Sequence, residues 1–161
     1  MLMPNGLPAK NLGGGNVFFD PDIFRKIVLP NVIITSKTFE GEDIRETSVK
    51  DVKDDEMILD LHLSDEILTS LNQAKTILWN GPMGVFENKL FSKGTKDLSI
   101  AIANSSAFSI AGGGETLSAI NKYIKSDDVS YCSTGGGAFL EFMEGKNLSS
   151  IDVLNSKEIG S

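Results

Sequence analysis

The sequence predicts an α/β protein, a parallel Rossmann-like sheet with helices on both faces. Two observations carry this. Short apolar runs alternate with amphipathic stretches from Ile27 to Gly145, the pattern of buried strands and covering helices. Two of the runs, FSIAGGGET and VSYCSTGGGAFLEF, lead through three glycines into a helical pattern. In an open parallel sheet such turns fall at the carboxyl edge of the strands, where ligands bind.

The elements follow in order. Residues 1–23, rich in Gly, Pro and Asn, read as a loop-like N-terminal segment, and residues 24–161 as the patterned domain. Five runs read as strands buried on both faces: Ile27–Thr35, Met57–Leu61, Thr76–Trp79, Phe108–Gly112 and Val129–Ser133. Pro30 suits a loop leading into the first of them. The charged segment Glu40–Glu56 reads as a surface excursion with a short strand at Thr47–Val49. Ser64 is placed to cap a helix whose first turn holds Asp65 and Glu66, the favourable sign there. Its face is Ile67, Leu68 and Leu71. Three more faces follow: Leu98, Ala101 and Ile102; Leu117, Ile120 and Ile124; Phe139, Phe142 and Met143. The tail after Gly145 is polar, helical or frayed.

Composition narrows the function. The chain has 161 residues, enough for one domain with a core, and a net charge of −7. An acidic chain carries no electrostatic footprint for nucleic acid or for an anionic membrane. Any phosphate must be met by backbone amides, a metal or local lysines. Cys132 is the single cysteine, so no disulfide forms within the chain, and a reducing cytoplasm is the expected setting. No apolar run approaches the roughly 20 residues that cross a bilayer.

The chemistry is concentrated at the glycine turns. Each presents free N–H groups at the positive end of a helix, an arrangement that favours phosphate. Glycine lets the backbone approach a ligand without a Cβ in the way. Glu115, directly after Gly114, is either a helix N-terminal acid or a magnesium ligand; beside a phosphate turn the metal reading is favoured. A third stretch, TILWNGPMGVFE, ends a buried strand with a forced turn. Asn80 offers donors and acceptors, and Glu87 can accept from sugar hydroxyls; a well-made loop with incidental polar residues explains the same stretch. A dinucleotide-binding reading is weak, because no G-x-G-x-x-G follows the first strand.

WNGPMGVFE, AGGGET and STGGGAFLEFMEGK, in this order, resemble the C-terminal nucleotide-binding domain of the phosphoglycerate kinase family. SVKDVKDDEMILD and AKTILWNGPMGVFE extend the likeness to roughly Arg25–Ile151. The resemblance implies magnesium-dependent, reversible phosphoryl transfer between 1,3-bisphosphoglycerate and ADP, giving 3-phosphoglycerate and ATP. It places Asn80, Glu87 and Gly112, Gly113, Gly114, Glu115 and Thr116 at the nucleotide, with Glu87 on the ribose. It gives Ser133, Thr134, Gly135, Gly136 and Gly137 to the phosphoryl-transfer loop. Gly114, Gly136 and Gly137 would serve catalysis through their amides, and Glu115 would meet the magnesium of the nucleotide.

Two residues depart from the family. Glu115 stands where it has aspartate, moving the carboxylate by about one bond length. His62 stands where it usually has glycine near the adenine, and steric interference is expected. The chain reads as an incomplete half of the family's nucleotide domain, inactive alone, with 3-phosphoglycerate a partner only if an N-terminal domain is supplied. The alternatives are a non-catalytic nucleotide-binding or interaction module, self-associating through exposed apolar surface, or a gene remnant.

Overall fold

The computed structural model describes residue 22 and residues 25–147. The loop-like N-terminal segment, Asp22 apart, and the tail from residue 148 onward lie outside the described residues, as do the side chains of Phe139 and Phe142. The chain forms two compact units. The first comprises residues 1–73 and 83–98, the second residues 74–82 and 99–161.

The first unit holds strands β1 (Ile33–Ser36), β2 (Arg45–Thr47) and β3 (Met57–Leu61) and helix α1 (Asp65–Gln73). The sheet order is β2-β1-β3, and both pairings are antiparallel. This corrects the expectation that these runs join one parallel sheet. A fully buried strand reads the same in either orientation, and all four residues of β1 are buried. The register also shifts between Ile34 and Thr35. β1 starts later than its apolar run because Pro30 has no N–H to give a ladder. β2 lies two residues before the expected Thr47–Val49. Val49–Asp51 is instead wound into a 3₁₀ turn, where Ser48 Oγ donates to Asp51 Oδ2 at 2.6 Å. Ser64 caps α1 as expected, its Oγ accepting the Ile67 N–H at 3.3 Å.

The core of this unit gathers Ile34, Leu59 and Phe91, with Met57 and Val85 packed against them. Beside it Glu56, with a side chain only 1% exposed, is bonded by Arg45 Nη1 at 2.5 Å, Thr35 Oγ1 at 3.2 Å and the Lys53 N–H at 3.3 Å. Burial pushes its pKa up, but the hydrogen bonds from Arg45, Lys53 and Thr35 and the arginine charge outweigh this and hold it below the ordinary glutamate value. The folded pKa lies below the unfolded one, so its contribution is whole above the unfolded value and is lost as pH falls through the folded one. The urea midpoint is therefore expected to fall on acidification from pH 5 to about pH 3, and less steeply in Glu56→Gln.

The second unit holds β4 (Thr76–Asn80), β5 (Phe108–Gly112) and β6 (Tyr131–Ser133), all parallel, in the order β4-β5-β6. Helix α2 (Lys93–Ala103) begins in the first unit and ends in the second. Helices α3 (Gly114–Tyr123) and α4 (Gly136–Met143) each follow a strand of this sheet. β4 alternates, with Ile77 and Trp79 buried and Thr76, Leu78 and Asn80 exposed. Ala111, Ala119, Ile120 and Val129 are buried as well. Leu78, Phe108 and Tyr131 are 44%, 55% and 56% exposed. By register they share one face of the sheet, Leu78 opposite Ile110 and Ile110 opposite Tyr131. That face is uncovered among the described residues.

Candidate functional site

The site in the second unit is built from the ends of three adjacent parallel strands. β4 ends at Asn80, β5 at Gly112 and β6 at Ser133, and these three positions are aligned across the ladder. Chain leaving each strand therefore emerges at one edge. Gly113 has φ +94°, where side chains are rarely tolerated. Its N–H donates to the Ser133 carbonyl at 3.2 Å, extending the β5–β6 ladder into the turn. A Cβ on Gly136 would lie 2.7 Å from the Gly113 Cα, so the two glycine turns are packed backbone against backbone. A Cβ on Gly113 would lie 3.2 Å from Asn80 Oδ1, which places that side chain at the same turn.

Gly114, Gly135 and Gly137 are different. Among the described residues a Cβ on Gly114 or Gly137 would meet nothing within 4 Å, and one on Gly135 only Ser133 Oγ at 4.0 Å. Internal packing thus accounts for Gly113 and Gly136 but not for the other three. α3 also starts without a side-chain cap, its Ncap being Gly113. The first-turn N–H groups have no intrahelical acceptor, and the helix field favours an anion there.

Thr116 is 1% exposed and its Oγ1 accepts the Gly81 N–H at 2.7 Å. Its hydroxyl fastens the turn after β4, where Gly81 has φ +101° and its carbonyl accepts from Trp79 Nε1 at 2.8 Å. Glu115 is exposed in the first turn of α3, and Thr134 is exposed on the turn after β6. The structure thus brings Asn80, Gly112, Gly113, Gly114, Glu115, Thr116 and Ser133–Gly137 to one end of one sheet. Glu87 belongs to the first unit. It is exposed between buried Phe86 and Asn88, whose Nδ2 donates to the Phe39 carbonyl at 2.7 Å.

His62 also lies in the first unit. It borders a shallow depression of about 290 Å³ together with Asn31, Val32, Leu63, Ser64, Asp65 and Glu66. Its Nε2 stands 3.7 Å from Glu46 Oε1.

Sequence reasoning missed Asp60. This carboxylate is 1% exposed and accepts N–H groups from the start of α2: Lys93 at 2.8 Å and Gly94 at 3.1 and 3.2 Å. Burial raises its pKa; the N–H groups of Leu61, Gly94 and Lys93 and the charge of His62 act against that rise. The available signal was an aspartate inside the apolar run MILDL, since a buried carboxylate must be bonded.

Parallel strands ending together in two packed glycine turns place the chain in the class of α/β proteins that present backbone amides at a sheet edge. A family model, phosphoglycerate kinase, matches residues 22–146. The chain belongs to the phosphoglycerate kinase family. It is 56% identical over 126 residues to the phosphoglycerate kinase of Blochmanniella floridana, covering 77% of this chain and 32% of the relative. It is 58% identical over 112 residues to that of Francisella philomiragia, covering 68% and 29%. The chain thus spans about a third of the length of these curated relatives. It is similar to the solved phosphoglycerate kinase from Coxiella burnetii, with a TM-score of 0.71 and 44% identity, over 79% of this chain and 34% of that one. The Pyrococcus horikoshii phosphoglycerate kinase gives a TM-score of 0.67 at 32% identity, over 83% and 34%. No helix among the described residues is long and apolar enough to cross a membrane.

Proposed function

We propose that the glycine turns of the second unit hold the phosphates of magnesium-bound ADP or ATP. In this reading the chain supplies the nucleotide side of phosphoryl transfer between 1,3-bisphosphoglycerate and ADP. The observation that carries it is the trio Gly114, Gly135 and Gly137, glycines with no neighbour among the described residues that requires them. Backbone left bare toward open space, next to uncapped helix N–H groups, suits an anionic ligand.

In the transfer the acyl phosphate P–O bond of 1,3-bisphosphoglycerate breaks and a bond forms from phosphorus to a β-phosphate oxygen of ADP. Such a reaction needs positioning and charge stabilisation more than covalent help. The amides of Gly114, Gly136 and Gly137 would face the charge on the moving phosphoryl group, with Ser133 and Thr134 setting the course of their loop. Gly112 and Gly113 would bring the backbone against the nucleotide, and Asn80 and Thr116 would fix the neighbouring turn. The family motif assigns Glu87 to the ribose. Glu115 fits a magnesium carried by the nucleotide: one exposed carboxylate beside phosphate-binding amides is the donor pattern of that ion, and no group of three ligating residues occurs among the described residues. When bound, the ion would neutralise phosphate charge. A cytoplasmic setting belongs to the same reading.

Titration with MgADP is expected to shift the amide resonances of Gly113–Thr116 and Gly135–Gly137; no shift at millimolar ligand overturns the proposal. Gly114→Ala and Gly137→Ala are expected to leave stability within about 1 kcal/mol of the parent. They should weaken MgADP by about tenfold or more. A loss of stability without a loss of affinity would mean that these glycines serve folding. The 161-residue chain alone is expected to show no turnover with 1,3-bisphosphoglycerate and ADP.

The exposed face of Leu78, Phe108 and Tyr131 favours a second reading, an interaction module that associates with itself. Light scattering showing a clean monomer would count against it.

A further inference from the structure

Asp60 has no place in the chemistry above, yet it is a buried carboxylate at the junction of three segments of the first unit. It sits on β3 and bonds the first N–H groups of α2. Between these two elements runs the segment that leads to Glu87. Met83 is tied to α2, its N–H donating to Thr95 Oγ1 at 3.1 Å. Val85 is tied to β3, its N–H donating to the Leu59 carbonyl at 2.9 Å. Gly84 lies between these ties, so close that a Cβ there would stand 2.6 Å from Asp60 Oδ1 and 2.7 Å from the Leu59 carbonyl. The turn then closes on itself, with the Phe86 N–H donating to Gly84 and the Asn88 N–H to Val85. Glu87 rides on this turn, and its own carboxylate has no partner among the described residues.

We propose that Asp60 is a positioning residue for Glu87: it locks α2 to β3, and the two anchors on those elements fix the turn that carries the glutamate. This rests on the reading of Glu87 as the ribose-side residue. Thr95 works at the second anchor. Asparagine at position 60 keeps one acceptor and replaces the other with a donor, which opposes the N–H groups of α2. The turn loosens while the apolar core is left intact.

The test uses the full chain, with MgADP and its 2′,3′-dideoxy analogue as probes, and Asp60→Asn and Thr95→Val as variants. In the parent chain the hydroxyls are expected to favour ADP by about tenfold, and Glu87→Ala should erase that preference. In Asp60→Asn the preference should fall to about twofold or less, with the protein still unfolding cooperatively. A merely structural role would weaken both probes alike and leave their ratio unchanged, and that result overturns the proposal. Should Asp60→Asn fail to fold, Thr95→Val carries the same expectation and the same overturning result. Hydrogen exchange in the ligand-free protein tests the positioning directly. Amides of Met83, Val85 and Phe86 are expected to exchange faster in the folded variants, and unchanged exchange overturns it. A parent chain that binds neither probe overturns the nucleotide reading instead, and one that binds both equally overturns the role of Glu87.

Discussion

Phe91→Ala is expected to cost about 3–5 kcal/mol, the usual loss for a wholly buried aromatic side chain. Phe91 is 0% exposed and packs with Ile34 and Leu59 at the centre of the first unit. Among the described residues the cluster holds four other apolar side chains, Ile34, Leu59 and Met57 from the antiparallel sheet and Val85 from the turn, so the void has little to collapse into it. A whole domain is typically stable by about 5–15 kcal/mol. The substitution therefore removes a large share, and urea unfolding followed by circular dichroism should show a midpoint displaced by about 1.5–2.5 M or no folded baseline at all. A shift below about 1 kcal/mol would mean that Phe91 is not central to this core.

Gly94→Ala ranks next. A Cβ at this position would stand 2.5 Å from the Leu61 carbonyl and 2.6 Å from Asp60 Oδ1. A backbone oxygen cannot step aside as a flexible side chain does, so α2 must retreat from β3 or Asp60 must leave its N–H partners. Overpacking of this kind costs about 1–3 kcal/mol, and a freed buried carboxylate adds to it. Thermal unfolding is the measure. Gly114→Ala is the contrast within the same protein, because its Cβ would enter open space. Equal Tm values for the two variants would show that the contact at Gly94 relaxes without strain.

The residues explain how far sequence reasoning reached. Met57–Leu61 and Phe108–Gly112 were legible to the residue, and β4 to within one, because short apolar runs are bounded there by polar or glycine signals. The glycine turns were legible because a strand, three glycines and a helical pattern leave few alternatives. Strand direction was not. Ile33–Ser36 carries no mark that would distinguish antiparallel from parallel pairing, which is decided by partners far along the chain. The exposed side of β4 was missed for a related reason: Leu78 reads as buried in any apolar run, and only the packed structure shows that nothing described covers it. Within the site, motif spacing identified Gly113 and Gly136 together but not their mutual contact. Asp60 left one mark, a carboxylate inside an apolar run, but the backbone N–H groups that it and Thr95 bond are advertised by no side-chain pattern.

The units are interleaved along the chain, and this has a consequence for synthesis. The first unit needs residues 83–98 to close over residues up to 73, and β4 lies between those segments although its partner is β5. On the ribosome Thr76 is made about thirty residues before Phe108, the residue it pairs with. At about 5–20 residues per second the nascent β4, with Trp79 and both strand edges bare, waits on the order of two to six seconds for its neighbour. During that interval the chain holds an apolar strand in an unpaired state, a natural substrate for a chaperone that grips extended hydrophobic segments.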